Sequence, residues 1–176
     1  DADCGRWLRV FTIQFHAPRI PPNDVSRSCP QNDLFMPQIL HLDDALIVIC
    51  KPAGLLSQPG RRAEKWDSVI TRLKPQYPDA VVVHRLDEPT SGLMMLARGY
   101  AMSSGLSRAF RERRVNKRYE AIVSGILAQD EGSIDFPLIA DWPNRPRQKI
   151  DFETGKPSLT HFQVLERNHE QNWTRV

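Results

Sequence analysis

The sequence predicts an α+β domain with a mixed, mostly antiparallel sheet flanked by helices, and three observations lead there. Runs with strand character dominate over the few helical ones, and no internal repeat is present. The 14 prolines among 176 residues favour strands and loops over long helices. The length is that of about one domain, and 40% hydrophobic with 26% charged residues suits a globular chain rather than a collagen, a coiled coil or a disordered tail.

Residues 1–37 hold Pro18, Pro21, Pro22, Pro30 and Pro37 and sustain neither strand nor helical period, so they are expected to be a weakly structured leader, with the folded domain over 38–176. The first strand pattern is Ile39–Leu42, followed by a turn at Asp43-Asp44 and the apolar run Ala45–Cys50. Lys51-Pro52-Ala53-Gly54 and Ser57-Gln58-Pro59-Gly60 read as loop. Asp67 to about Tyr77 is expected to be a short helix, with Asp67 as N-cap and Val69, Ile70 and Leu73 on its inner face. The β-branched run Val81–Val83 leads through the polar His84-Arg85-Leu86-Asp87 to a strand at Leu93–Leu96. A second helix fits Ala101 to about Arg113, with Met102, Leu106, Ala109 and Phe110 as its apolar stripe. Arg118–Gly125 alternates Tyr119, Ala121 and Val123 in strand period; Ile134–Phe136, Gln148–Phe152 and Leu159–Leu165 follow, and a further strand begins near Trp173.

Cys4, Cys29 and Cys50 are odd in number and form neither a CxxC nor a Cys/His cluster, which points away from a disulfide framework or a zinc site and towards a reducing, cytoplasmic setting. The longest apolar runs have six residues, against the roughly 20 a membrane helix needs, and no signal-peptide layout is present. His16, His41, His84, His161 and His169 are scattered, as satisfied structural histidines are.

The net charge of +3 is modest, but its distribution is not even. From Arg108 to Glu120 six Lys/Arg face two Glu, a local charge of +4, and Arg145, Arg147 and Lys149 add a second basic stretch near Trp142. Such a surface attracts a polyanion, although a solvated helix face has the same composition. Asp87 follows a β-branched run and precedes Pro89 and Gly92, where a reactive carboxylate is exposed on a rigid edge but where an ordinary turn-capping Asp also sits. Leu86 separates His84-Arg85 from Asp87, unlike a kinase catalytic loop, and Pro157 follows Gly155-Lys156 where a phosphate-binding loop needs Ser or Thr.

Together the motifs resemble one family. Val83-His84-Arg85-Leu86-Asp87-Glu88-Pro89-Thr90-Ser91-Gly92-Leu93 is similar to the HRLDxxTSG signature of RluA-type pseudouridine synthases. Asp43-Asp44 through Lys51-Pro52-Ala53-Gly54-Leu55 resembles the family's D-D…V-x-K-P-x-G-L motif, and Lys117-Arg118-Tyr119-Glu120-Ala121-Ile122-Val123-Ser124-Gly125 its K-x-Y-x-A-x-V-x-G strand. Pro137–Pro146 and Glu153–Pro157 are most similar to the family's type member. The resemblance runs from about Ile39 to the last residue.

What the resemblance implies is an enzyme that isomerises uridine to pseudouridine in RNA without a cofactor or metal. Asp87 aligns with the essential Asp, as nucleophile or base. Arg85 aligns with the Arg that enters the RNA where the flipped base was, and Tyr119 with the Tyr that packs on the target base. Lys117, Arg111 and Arg114 would hold phosphates. The implied partners are 23S rRNA and a tRNA anticodon stem-loop, without DNA or membrane, for a cytoplasmic monomer. The family continues into a T-G-R-x-H-Q-L-R motif, whose first Arg pairs with the Asp, and this chain stops before it. The 176 residues are therefore expected to be an incomplete catalytic domain, inactive or unstable alone; the rival readings are an inert truncated product and a non-catalytic RNA-binding protein on the same fold.

Overall fold

The computed structural model describes the backbone of residues 11–14 and residues 36–144 and 147–176; the rest of the expected leader, with Arg145 and Pro146, lies outside the described residues. Two compact units divide the chain, Asp1–Ala121 and Ile122–Val176. Both are built mostly from antiparallel strands with few helices, the α+β composition that the sequence predicts.

In the first unit, strand β1 (Phe11–Gln14) pairs with β6 (Asn116–Tyr119). The central sheet has the order β2-β3-β5-β4, all antiparallel, from β2 (Gln38–Leu42), β3 (Leu46–Lys51), β5 (Gly92–Arg98) and β4 (Ala80–Val82). The β2–β3 turn forms as expected: Asp43 Oδ1 accepts the Ala45 and Leu46 N–H groups at 2.7 and 2.8 Å, a side-chain closure that short acidic residues provide. Ile47 and Ile49 of β3 and Met94 and Leu96 of β5 are sealed from solvent and join Leu55, Val69, Leu73, Ala80 and Leu86 in one core. Burial of a large aliphatic side chain stabilises by roughly 1.5–3 kcal/mol, so this cluster is what holds the loops between its strands in place.

Helix α1 (Val69–Leu73) starts one residue later than expected. Its N-cap is Ser68, whose hydroxyl accepts the Thr71 N–H while the Thr71 hydroxyl accepts the Ser68 N–H, a reciprocal capping box. Asp67 is instead taken by Arg72, at 2.6 and 2.8 Å. Helix α2 (Gly99–Arg111) packs on β5 and β4, but its inner face differs from the expected stripe: Ser103 is buried, Leu106 and Phe110 are half-buried and Met102 is exposed. The helix closes in a Schellman arrangement, Arg114 N–H to Ala109 C=O and Arg113 N–H to Phe110 C=O, with Arg113 at φ 55°.

The strand expected over Arg118–Gly125 is two strands with different partners. β6 pairs with β1 and β7 (Ile122–Ser124) with β13 (Trp173–Arg175), so the sequence alternation runs through a break at Glu120-Ala121. In the second unit, β12 (Glu166–Asn168), β13 and β7 form one sheet; β8 (Glu131–Asp135) pairs with β11 (Leu159–Gln163) and β9 (Leu138–Ala140) with β10 (Gln148–Ile150). Thr174, fully buried, donates to the Gly125 carbonyl at 2.8 Å and accepts the Leu127 N–H at 3.1 Å.

Candidate active site

The site is assembled where β3 ends and the β4–β5 connection begins, within the first unit. β3 delivers Lys51 into the core with none of its surface exposed. A buried ammonium must find acceptors, and this one donates to the carbonyls of Leu55 (2.6 Å), Pro52 (3.0 Å) and Glu88 (3.2 Å). Burial pulls its pKa down to about 8, against the negative charges of Glu88 and Asp87, which favour the proton. Gly54 reaches the same Glu88 carbonyl with its N–H at 2.8 Å, from φ 85°, a conformation that glycine adopts without a Cβ penalty.

On the other side of Asp87, the buried Ser57 hydroxyl accepts the Leu86 N–H at 3.0 Å and donates to the Leu86 carbonyl at 2.6 Å. The Leu86 side chain is in the core, and Thr90 N–H closes a turn onto the Asp87 carbonyl at 3.0 Å. Both neighbours of Asp87 are thus gripped through their backbones by the segment 51–57, while the Asp87 side chain stands at the surface. Burial alternates along the segment, with Leu86 in the core and Asp87 exposed. Arg85 is likewise exposed.

His84 fixes the start of the same connection. Its ring stacks on Phe110 of α2, with centroids 4.5 Å apart and planes 25° from parallel, and its Nε2 accepts the Met95 N–H at 3.0 Å. Burial first, and the charge of Lys117 second, lower its pKa to about 4, so the ring is neutral at pH 7. His84 is therefore a satisfied structural histidine, as the sequence suggests. Tyr119, at the end of β6, is half-exposed; burial and then the charge of Asp87 raise its phenol pKa, which keeps the hydroxyl protonated.

Among the residues picked out from sequence, the charge of Asp87 thus reaches Tyr119, and the charge of Lys117 reaches His84, three residues before Asp87. Arg111 and Arg114 lie exposed at the C-terminal end of α2, where Glu112 holds Arg114 at 2.8 Å. Lys51 and Ser57 carry site architecture that sequence reasoning left without a role. The available signal was a lysine closing a buried apolar run directly before Pro-x-Gly. Among the described residues, no three His, Cys, Asp or Glu side chains converge as a metal-binding group.

The family model described as RNA pseudouridylate synthase matches residues 45–176. The chain is 52% identical over 138 residues to the dual-specificity RNA pseudouridine synthase RluA of Vibrio parahaemolyticus, covering 78% of this chain and 55% of that protein. It is 51% identical over 138 residues to the protein of the same name from Yersinia pestis, covering 78% and 66%. The solved structure of human RNA pseudouridylate synthase domain containing 4 superposes with a TM-score of 0.60 at 25% identity, over 78% of this chain and 56% of that one. The chain therefore spans between about half and two thirds of the length of these relatives.

Proposed function

The chain belongs to the RNA pseudouridylate synthase family, and from that premise we propose that its protein isomerises specific uridines of RNA to pseudouridine with Asp87 as the reacting carboxylate. The observation that carries this reading is the double grip on Asp87: Leu86 and Glu88 are held by Ser57, Gly54 and Lys51, and the carboxylate between them is exposed. A group that must meet one atom of a bound nucleotide gains from such fixed geometry.

The reaction breaks the bond between uracil N1 and ribose C1′, turns the base and joins C5 to C1′; the hydrogen on C5 leaves and N1 takes up a proton. An ionised Asp87 serves as nucleophile or as base towards the sugar. The uridine must leave its stack, at a cost of a few kcal/mol. In this reading Arg85 fills the vacated space by stacking its planar guanidinium, Tyr119 packs on the extruded base with its hydroxyl protonated, and Lys117, Arg111 and Arg114 neutralise phosphates.

The proposed substrates are 23S rRNA and a tRNA anticodon stem-loop, supported by the dual-specificity relatives and by the similarity of Pro137–Pro146 to the family's type member. RNA is the partner, without DNA, membrane or cofactor, and the protein acts as a monomer in the cytoplasm on the catalytic domain that spans 38–176, behind the leader 1–37. No helix among the described residues is long and apolar enough to cross a membrane.

Tritium release from 5-tritiated uridine in each RNA, measured with the full-length protein, tests the assignment. Release from both supports dual specificity, and release from one narrows it. RNA binding without release from either favours a non-catalytic RNA-binding protein instead.

A further inference from the structure

We propose that a second surface, centred on Trp66, stacks a single-stranded nucleotide that flanks the target uridine; this rests on the RNA reading above. The loop before α1 leaves Trp66 64% exposed, although a solvated indole forfeits the burial that large aromatics normally gain. It borders a shallow, open groove lined by Pro59, Trp66, Ile70, Thr71, Lys74 and Pro75, the kind of surface against which a base can lie flat.

Charge selects the occupant. Residues 59–75 hold Arg61, Arg62, Lys65, Arg72 and Lys74 against Glu64 and Asp67; with Glu88, which pairs with Lys65, five cations face three carboxylates, a local charge of +2. Lys74 is exposed and spends one of its three donors on the Pro78 carbonyl at 2.7 Å. An aromatic face with cations at its rim is the chemistry that binds a base and its phosphate without reading sequence.

The groove is also tied to the candidate active site. The Lys65 ammonium holds the Glu88 carboxylate at 3.0 Å, and the Gly60 N–H donates to the Lys65 carbonyl at 2.8 Å. Lys65 precedes Trp66 and Glu88 follows Asp87, so one ion pair links the loop bearing the indole to the turn bearing the carboxylate. Gly60 permits the closure: a Cβ there would come within 2.8 Å of the Lys65 Cβ. A strand of RNA with its uridine at Asp87 has its neighbouring nucleotide to place, and Trp66 offers the platform.

The test uses the full-length protein and a uridine-containing stem-loop RNA carrying 2-aminopurine at positions flanking the target. Trp66→Ala is expected to weaken binding at least about five-fold and to abolish quenching of one 2-aminopurine, with Trp66→Phe close to wild type. Lys74→Gln is expected to lower the salt dependence of binding by about one phosphate contact. Binding by Trp66→Ala equal to wild type, while Lys117→Ala binds more weakly, overturns this inference and leaves the RNA reading standing; a groove that serves a proline-rich peptide gives that result. Absence of any RNA binding by the wild type overturns the RNA reading and this inference together.

Discussion

The Lys51 ammonium, sealed from solvent, donates at 3.2 Å to the carbonyl of Glu88, the residue that follows Asp87. One buried charge therefore fixes the position of a carboxylate that it does not touch. The same ammonium closes its own loop through Pro52 and Leu55, so the loop and the turn bearing Asp87 are held as a unit.

Replacing Lys51 with Met retains the length of the stem but leaves three carbonyls without their charged donor. We expect a loss of about 2 kcal/mol, the cost of unpaired buried acceptors offset in part by removal of a desolvated charge. Turnover is expected to fall further than RNA affinity, because the turn bearing Asp87 loosens. Urea unfolding and tritium release measure the two effects, and unchanged turnover in the Met variant contradicts the positioning role.

Ser57→Ala removes both bonds to Leu86 without altering an exposed group. The Leu86 N–H and C=O are then buried and unpaired, for an expected destabilisation of about 2–3 kcal/mol in chemical denaturation. Stability within about 0.5 kcal/mol of wild type shows that water or another group replaces the hydroxyl.

His84 makes the first unit sensitive to acid. Its pKa is depressed from 6.5 to about 4 in the folded protein, so between these values the unfolded chain binds more protons and stability falls as pH falls. The contribution is fully present above pH 6.5 and is lost towards pH 4. Relative to His84→Gln, which does not titrate, the wild type is expected to lose roughly 2–3 kcal/mol across that window. Parallel stability curves for the two proteins exclude this origin.

For Tyr119, the ring rather than the hydroxyl is expected to matter for holding a base. Tyr119→Phe keeps binding within about two-fold, whereas Tyr119→Ala weakens it by at least about five-fold, the low end of a base–aromatic stack. Equal binding by both variants removes Tyr119 from the RNA surface.

Much of this architecture was legible in the sequence because apolar period reports burial. The runs around Ile47, Ile49, Met94 and Leu96 announce the central sheet, and Asp87 stands out through its motif. Other features were hidden for physical reasons. Asp67 and Ser68 are both good N-caps, and only the reciprocal bond with Thr71 decides between them. Met102 fits a helical stripe by spacing, but the helix is rotated so that the small Ser103 faces the sheet. The break at Glu120-Ala121 leaves the alternation intact, since a change of partner strand need not alter side-chain period. Lys51 was missed as a site residue because lysines rarely sit buried, and its acceptors come from carbonyls that composition does not reveal.

The central claim is that Asp87 does the chemistry in a frame that survives its loss. The most direct measurement is tritium release from 5-tritiated uridine RNA by full-length protein, wild type against Asp87→Asn, with RNA affinity and thermal stability measured on the same samples. The side chain is exposed, so the substitution is expected to leave both the fold and the affinity close to wild type while release falls to background. Equal release by the two proteins contradicts the account.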